Sequence, residues 1–379
     1  MQREAFWALT PDVVFLNHGS YGACPRPVLE RQHELRLHME SEPVRFMTRE
    51  LEPLLDQARA VLSGFVGAQP QDLVAVTNAT TAVNAVVGSL RFSPGDELLV
   101  TSHGYNACTN AVRLAAERSG AGVVVAPVPF PLEHAEQIVD AVLAAVTPRT
   151  RLAVVDFVTS PTALVFPIER LVRELEAQGV MVLVDGAHAP GMVPLALDSL
   201  EASFFTGNLH KWVCAPKGAA FLHVRRDRQA LVRPTVISHG ANSPRRDRSR
   251  FQLEFDWVGT SDLTAFLSVP RALEVLAPWP ELMRHNRDDA LAAGALLAKA
   301  LGVRLPAPAE LIGSMVAVPL RGDQAGLERW LFDERRIQVP IISFGGRWWV
   351  RVSLQRHVRP GDVQALADAL LTRNAGVAG

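Results

Sequence analysis

The chain predicts an α/β fold with a mostly parallel central sheet covered by helices and a smaller C-terminal α+β domain. Three observations carry that expectation. Residues 73–224 alternate short β-branched runs with amphipathic stretches, the rhythm of strands joined by crossover helices. The β-branched runs are apolar throughout rather than alternating with polar residues, as in strands covered on both faces. Finally, 379 residues exceed what one core usually absorbs, so two lobes are the default.

Residues 1–20 read as an N-terminal arm, 21–275 as the large domain and 276–379 as the small one. The stretch 24–62 is mainly helical, with Pro43 and Pro53 as interruptions, because proline lacks an N–H and crowds the preceding turn. Strands are expected at 73–77, 97–101, 123–128, 151–155, 180–184, 202–206 and 219–224. Helices are expected between them at 79–90, 106–119, 132–146 and 168–178. The basic stretch 244–250 reads as a solvated loop. Helical patterns at 262–277 and 280–301 lead to strands at 314–319, 339–343 and 348–354, with helices at 324–334 and 360–372.

A charged content of 20% and a net charge of -1 give no global field toward nucleic acid or an anionic membrane, so neither partner is expected. No apolar run is long enough to span a bilayer, and the first seven residues, from Met1 to Trp7, lack a secretory pattern. Cys24, Cys108 and Cys214 are too widely spaced for a zinc pattern or a disulfide framework, which points to a reducing cytoplasm.

Lysine usage is the sharper signal. Only three of the 38 Lys and Arg residues are lysines. One of them, Lys211, follows His210 in a Gly-containing loop after the run 202–206. A lysine can lose its proton and attack a carbonyl; a guanidinium cannot. Upstream, Asp185 ends an apolar strand, the place where open α/β sheets bind ligands. Asn78-Ala79-Thr80-Thr81 follows a strand and opens a helix, offering free N–H groups, hydroxyls and a positive helix end to a phosphate. A phosphate cradle, an aspartate to keep the pyridine nitrogen protonated and a lysine to form the Schiff base are the groups that pyridoxal 5'-phosphate chemistry requires.

With these residues in place, the chain resembles the class V aminotransferase superfamily of fold type I pyridoxal phosphate enzymes, and within it the isopenicillin N epimerase-like group. The resemblance runs from Phe15-Leu16-Asn17-His18-Gly19-Ser20-Tyr21-Gly22 through Glu42-Pro43-Val44-Arg45-Phe46 and Thr159-Ser160-Pro161-Thr162. It continues through Asp185-Gly186-Ala187-His188, His210-Lys211 and Gly259-Thr260 to Arg351-Val352-Ser353-Leu354.

The resemblance implies that Thr80 and Thr81 hold the phosphate, aided by Asn208 and His210, and that Thr260 reaches the phosphate in a partner subunit. That would make the enzyme a homodimer with shared active sites. It implies that His188 and Ser160 address the ring's phenolic oxygen and that Tyr105 stacks on the ring, with His103 as the alternative. Arg351 would pair with the α-carboxylate of a small amino-acid substrate, and Asn17 and Arg45 would line its pocket. Three positions depart from the wider family: Ala79 and Asn208 in the phosphate site, and Phe157 where relatives often carry histidine.

The expected chemistry is Cα-proton abstraction by Lys211, and three outcomes share it: epimerisation, carbon–sulfur β-elimination and transamination. Epimerisation leads, and Tyr105 or His103 would supply the second acid. Cysteine desulfurase activity is discounted because no cysteine follows Cys214. A non-catalytic sensor with an added helix-turn-helix domain finds no room before the fold begins. A nucleotide enzyme is disfavoured by the lack of a Gly-rich phosphate motif after the first strand.

Overall fold

The computed structural model describes residues 3–377; Met1 and Gln2 of the arm, and Ala378 and Gly379, lie outside the described residues. Twelve strands are found among the described residues. The arm supplies β1 (Val14–Phe15). The large sheet takes β2 (Leu73–Val76), β3 (Glu97–Thr101), β4 (Gly122–Ala126), β5 (Thr150–Asp156), β6 (Met181–Asp185), β7 (Phe204–Asn208) and β8 (Ala220–Val224). The C-terminal part holds β9 (Met315–Leu320), β10 (Ile337–Gln338), β11 (Ile341–Phe344) and β12 (Arg347–Ser353).

The large sheet has the order β2-β8-β7-β6-β5-β3-β4. All neighbours are parallel except β8, which runs antiparallel to both β2 and β7. No helix separates β7 from β8, so the chain turns straight back, and an antiparallel partner is what such a connection allows.

Alternation along the central strands explains their unbroken apolar character. Leu98 and Val100 of β3, Leu152 and Val154 of β5 and Leu183 of β6 enter one core, against the helices Ala79–Ser89 and Asn106–Ser119. Leu99, Ala153, Val155, Val182 and Val184 enter the opposite core, under Leu51–Val66, Glu136–Ala144 and Ile168–Ala177. Both faces are covered, so the positions between the strand ends are apolar on either side.

A third core joins the antiparallel sheet β11-β12-β9 to the helices Trp279–Leu301 and Asp362–Val377. The arm belongs to this packing: β1 pairs in parallel with β10, and Leu16 is fully buried in that core. Residues 14–16 are therefore anchored beside the C-terminal sheet.

Several expected helices differ in extent. Pro53 does not end the helical run; regular α-helix resumes at Leu51–Val66 after a π-helical segment, Phe46–Glu50, that stands just ahead of the proline. The helix expected over 132–146 spans Glu136–Ala144, because Gln137 Oε1 accepts the Glu133 and His134 N–H groups and closes the preceding residues into a loop. The stretch 262–277 divides into Thr264–Leu267 and Val269–Leu276 around Ser268, just before Pro270. The 244–250 loop is pinned as well as solvated: Arg245 pairs with Glu52, and Arg248 with Glu52 and Asp56. Among the described residues no helix is long and apolar enough to cross a membrane.

Candidate active site

The carboxyl ends of β2, β5, β6 and β7 converge on a cavity of about 150 Å³ lined by Thr80, Tyr105, Ser160, Asp185, His188, Asn208, His210 and Lys211. Eight expected residues thus meet in one place. Ser20, Tyr21, Cys108 and Asp156 join them, and sequence reasoning passed over all four.

The phosphate end is built by helix Ala79–Ser89. Asn78 caps it, its Oδ1 accepting the Thr81 N–H at 2.8 Å, while Asn208 Oδ1 accepts the Ala79 N–H at 2.9 Å. The Thr81 hydroxyl turns back onto Asn78 and Thr77, whereas Thr80 faces the cavity. His210 Nδ1 is buried and finds no hydrogen-bond partner among the described residues. Burying such an atom without a partner is costly, and an anion at the helix terminus would relieve it.

Asp185 closes the opposite end. It is 3% exposed; its Oδ1 accepts the Ala187 N–H at 3.0 Å and its Oδ2 accepts the Cys108 thiol at 3.1 Å. Burial, and then the Asp185 charge, push the Cys108 thiol up, so it stays a donor. Asp156 is the register partner of Asp185 on β5. Its carboxyl is held well above the usual range by burial first and the Asp185 charge second.

Lys211 extends its amine to 3.1 Å from His188 Nε2. Burial lowers its pKa to about 8, against the pull of Asp185. The His188 ring is itself lowered well below the ordinary range by burial and by Lys211, so it is neutral. Gly22 makes the lysine loop possible: with φ at +71°, a Cβ there would lie 1.9 Å from His210 O and 3.0 Å from Lys211 Cα.

Arg351 reaches the site from β12 and is 3% exposed. It donates to Ser160 O, to Ser160 Oγ at 3.2 Å and to Ser20 Oγ at 3.1 Å. Ser20 in turn donates to Asn17 Oδ1 at 2.5 Å, which brings Asn17 in at one remove. Burial lowers the arginine to about 10, leaving it cationic at neutral pH, and its buried Nε has no partner among the described residues.

The structure separates the two ring-stacking candidates. Tyr105 stands half-exposed on the cavity, directly before helix Asn106–Ser119. His103 is fully buried elsewhere, bonded to Thr162 Oγ1 at 2.7 Å and Val128 O at 3.2 Å and packed against Phe344. Among the expected residues, Thr81 does not line this cavity, its N–H and hydroxyl both being turned onto Asn78, and neither do Arg45 and Thr260. Arg45 is exposed and pairs with Glu42 and Glu50, and Thr260 lies exposed on the loop before Thr264–Leu267.

The site therefore sets a buried, deprotonatable amine between an anion cradle and a hydrogen-bonded carboxylate, with a cationic arginine at the edge. Those are the features of a pyridoxal phosphate enzyme on an α/β scaffold. Residues 14–366 match the aminotransferase class-V family, and the chain belongs to it. It is 36% identical over 381 residues to isopenicillin N epimerase of Amycolatopsis lactamdurans, covering 96% of each chain. It is also 31% identical over 401 residues to a probable chloroplastic L-cysteine desulfhydrase of Arabidopsis thaliana, covering 95% of this chain and 82% of that one. Among solved structures, a C-DES mutant with glycine covalently linked to its PLP cofactor superposes with a TM-score of 0.83 at 21% identity, over 98% and 99% of the two chains, which shows the shared fold. The chain is a class-V family enzyme dependent on pyridoxal phosphate, and the orphaned His210 nitrogen at the helix terminus and the carboxylate of Asp185 fit that group.

Proposed function

We infer that the enzyme removes the Cα proton of a small amino-acid substrate and returns a proton to the opposite face, an epimerase or racemase of the isopenicillin N epimerase-like kind. The buried Lys211 amine, lowered to about 8 beside a neutral His188, supports the proton abstraction, because a base must be unprotonated near working pH, and the 36% and 35% identity to two isopenicillin N epimerases carries the choice of epimerisation. Pyridoxal phosphate, when bound, supplies the electron sink for the resulting carbanion.

The chain's own residues divide the remaining work. Thr80, Asn208 and His210 would hold the phosphate, with Thr81 bracing the Asn78 turn beside them, Asp185 the pyridine nitrogen, and His188 and Ser160 the phenolic oxygen. Arg351 would orient the α-carboxylate through its unpaired Nε, with Asn17 acting on it through Ser20. Lys211 takes the proton at Cα, and Tyr105, on the cavity wall, would give one back.

Arg45 and Thr260 are exposed away from their own cavity, which supports a homodimer in which each completes the partner's site. The separate core of the C-terminal sheet supports the division into an arm 1–20, a cofactor domain 21–275 and a small domain 276–379 that supplies Arg351. Three free buried thiols support a cytoplasmic setting.

A second reading, carbon–sulfur β-elimination, is supported by the similarity to L-cysteine desulfhydrases. One experiment separates the two. The holoenzyme is incubated with a panel of L-amino acids in deuterated water. Solvent deuterium at Cα with inverted configuration supports epimerisation; pyruvate and sulfide from L-cysteine without inversion would replace it with elimination.

A further inference from the structure

The ring-facing aspartate does not stand alone. Asp156 and Asp185 are direct register partners at the carboxyl ends of β5 and β6. Neighbouring parallel strands lie about 4.8 Å apart, so the two carboxyls are adjacent. Their positions share the parity of Leu152, Val154 and Leu183, which places both on the face covered by helices Ala79–Ser89 and Asn106–Ser119. Asp156 is 5% exposed and Asp185 3%, and both line the cavity. We propose that Asp156 is a positioning residue for Asp185: the two form a buried carboxyl pair that carries one negative charge, with Asp156 the neutral member.

Two carboxylates buried side by side cannot both remain ionised. The surroundings decide which keeps the charge. Asp185 accepts from the Ala187 N–H and from the Cys108 thiol, two bonds that favour its carboxylate. Asp156 is opposed by its burial and by the Asp185 charge, which outweigh the backbone N–H groups of Tyr105 and of Asp156 itself. The other charged or titratable groups that bear on it are Lys211, across the cavity, and Cys108, on the overlying helix. The wall beside it is Gly104, where a Cβ would come within 3.7 Å of Asp156 Oδ2.

The consequence concerns the cofactor, and so rests on the reading given under Proposed function. An ionised Asp156 would add a second negative charge behind the pyridine ring and raise the proton affinity of the whole site. A neutral Asp156 donates toward Asp185 instead, keeps it a carboxylate and leaves one charge to pair with one protonated ring nitrogen. The same carboxyl takes the Tyr105 N–H, so it also fixes where Tyr105 stands on the cavity wall. The sequence carried the signal: Asp156 ends an apolar strand just as Asp185 does.

The test uses holoenzyme of the wild type, Asp156→Asn and Asp156→Ala. Three quantities are read: the pH midpoint of the bound cofactor's visible absorbance, the cofactor dissociation constant and the melting temperature. Asparagine is neutral and keeps a donor, so its midpoint stays within about one pH unit of wild type; a fall of one unit or more would show that a charge had been removed, and would overturn the pairing. Alanine removes the donor to Asp185 and the acceptor for Tyr105, so cofactor affinity falls by about tenfold or more; a smaller loss would overturn the positioning role. Should Asp156→Ala fail to fold, Asp156→Val, which also lacks donor and acceptor, takes its place under the same threshold. Wild-type protein that binds no pyridoxal phosphate would sink the functional reading itself, which separates the two failures.

Discussion

The indole N–H of Trp212 donates to His188 Nδ1 at 3.3 Å, and that bond sets the state of the neighbouring lysine. With Nδ1 accepting, a neutral His188 carries its proton on Nε2 and points it at Lys211 Nζ, 3.1 Å away. A protonated amine there would face another donor. The arrangement therefore favours a neutral Lys211, in the same direction as its burial.

Replacing Trp212 by phenylalanine frees the histidine to present either nitrogen. It could then accept from a charged lysine, and one such bond amounts to about one pKa unit. We expect the pH midpoint for cofactor loading onto apoprotein to rise from about 8 by that amount in W212F. Stopped-flow loading rates across pH would measure it; an unchanged midpoint would remove Trp212 from the account.

Arg351 spends Nη1 on Ser160 and one Nη2 hydrogen on Ser20, leaving Nε and the second Nη2 hydrogen as a fork for a ligand. Arg351→Gln should weaken amino-acid binding by about 2–4 kcal/mol, a penalty expected when one partner of a buried charge pair is truncated. Arg351→Lys should recover only a fraction, because a point charge cannot reproduce the planar fork. Titrating the cofactor spectrum with L- and D-amino acids reads both effects.

Gly22 admits no side chain. A Gly22→Ala variant must move His210 O and the Lys211 loop while holding a positive φ, so we expect a loss of at least about 2 kcal/mol in stability and slower cofactor loading. Urea unfolding of the apoprotein and loading kinetics would be compared. Wild-type loading in a destabilised protein would confine Gly22 to the fold.

Acid stability follows from the buried histidines. Burial lowers His18 to about 3 and His103 to about 4. Below the ordinary value near 6.5, the unfolded chain binds protons that the folded one refuses, so stability falls as pH drops through that window. By pH 5 each histidine costs about 2 kcal/mol relative to pH 7 or above. His18→Gln or His103→Gln should flatten the decline, as read by urea midpoints between pH 5 and 7.5.

The strands were legible because their period-2 burial on two cores confines polar residues to the strand ends, and Asp185 and Lys211 were legible because each breaks a local compositional rule. The reversal of β8 was not, because strand direction is set by the connection rather than by residue type. Pairing of β1 with β10 joins residues more than three hundred positions apart, and two-residue strands carry no period. Ser20 and Cys108 were invisible for a related reason: each matters through a contact with Arg351 or Asp185 that only the folded chain creates. Tyr21 had a signal, since it and Tyr105 are the chain's only tyrosines. Choosing Tyr105 over His103 needed the aromatic cluster that encloses the histidine.

Three lysines make the central claim unusually open to a direct test. The holoenzyme is reduced with borohydride, digested, and the cofactor-bearing peptide sequenced by mass spectrometry. The account predicts a single pyridoxyl label at Lys211; a label at Lys217 or Lys299, or none on the chain, would contradict it.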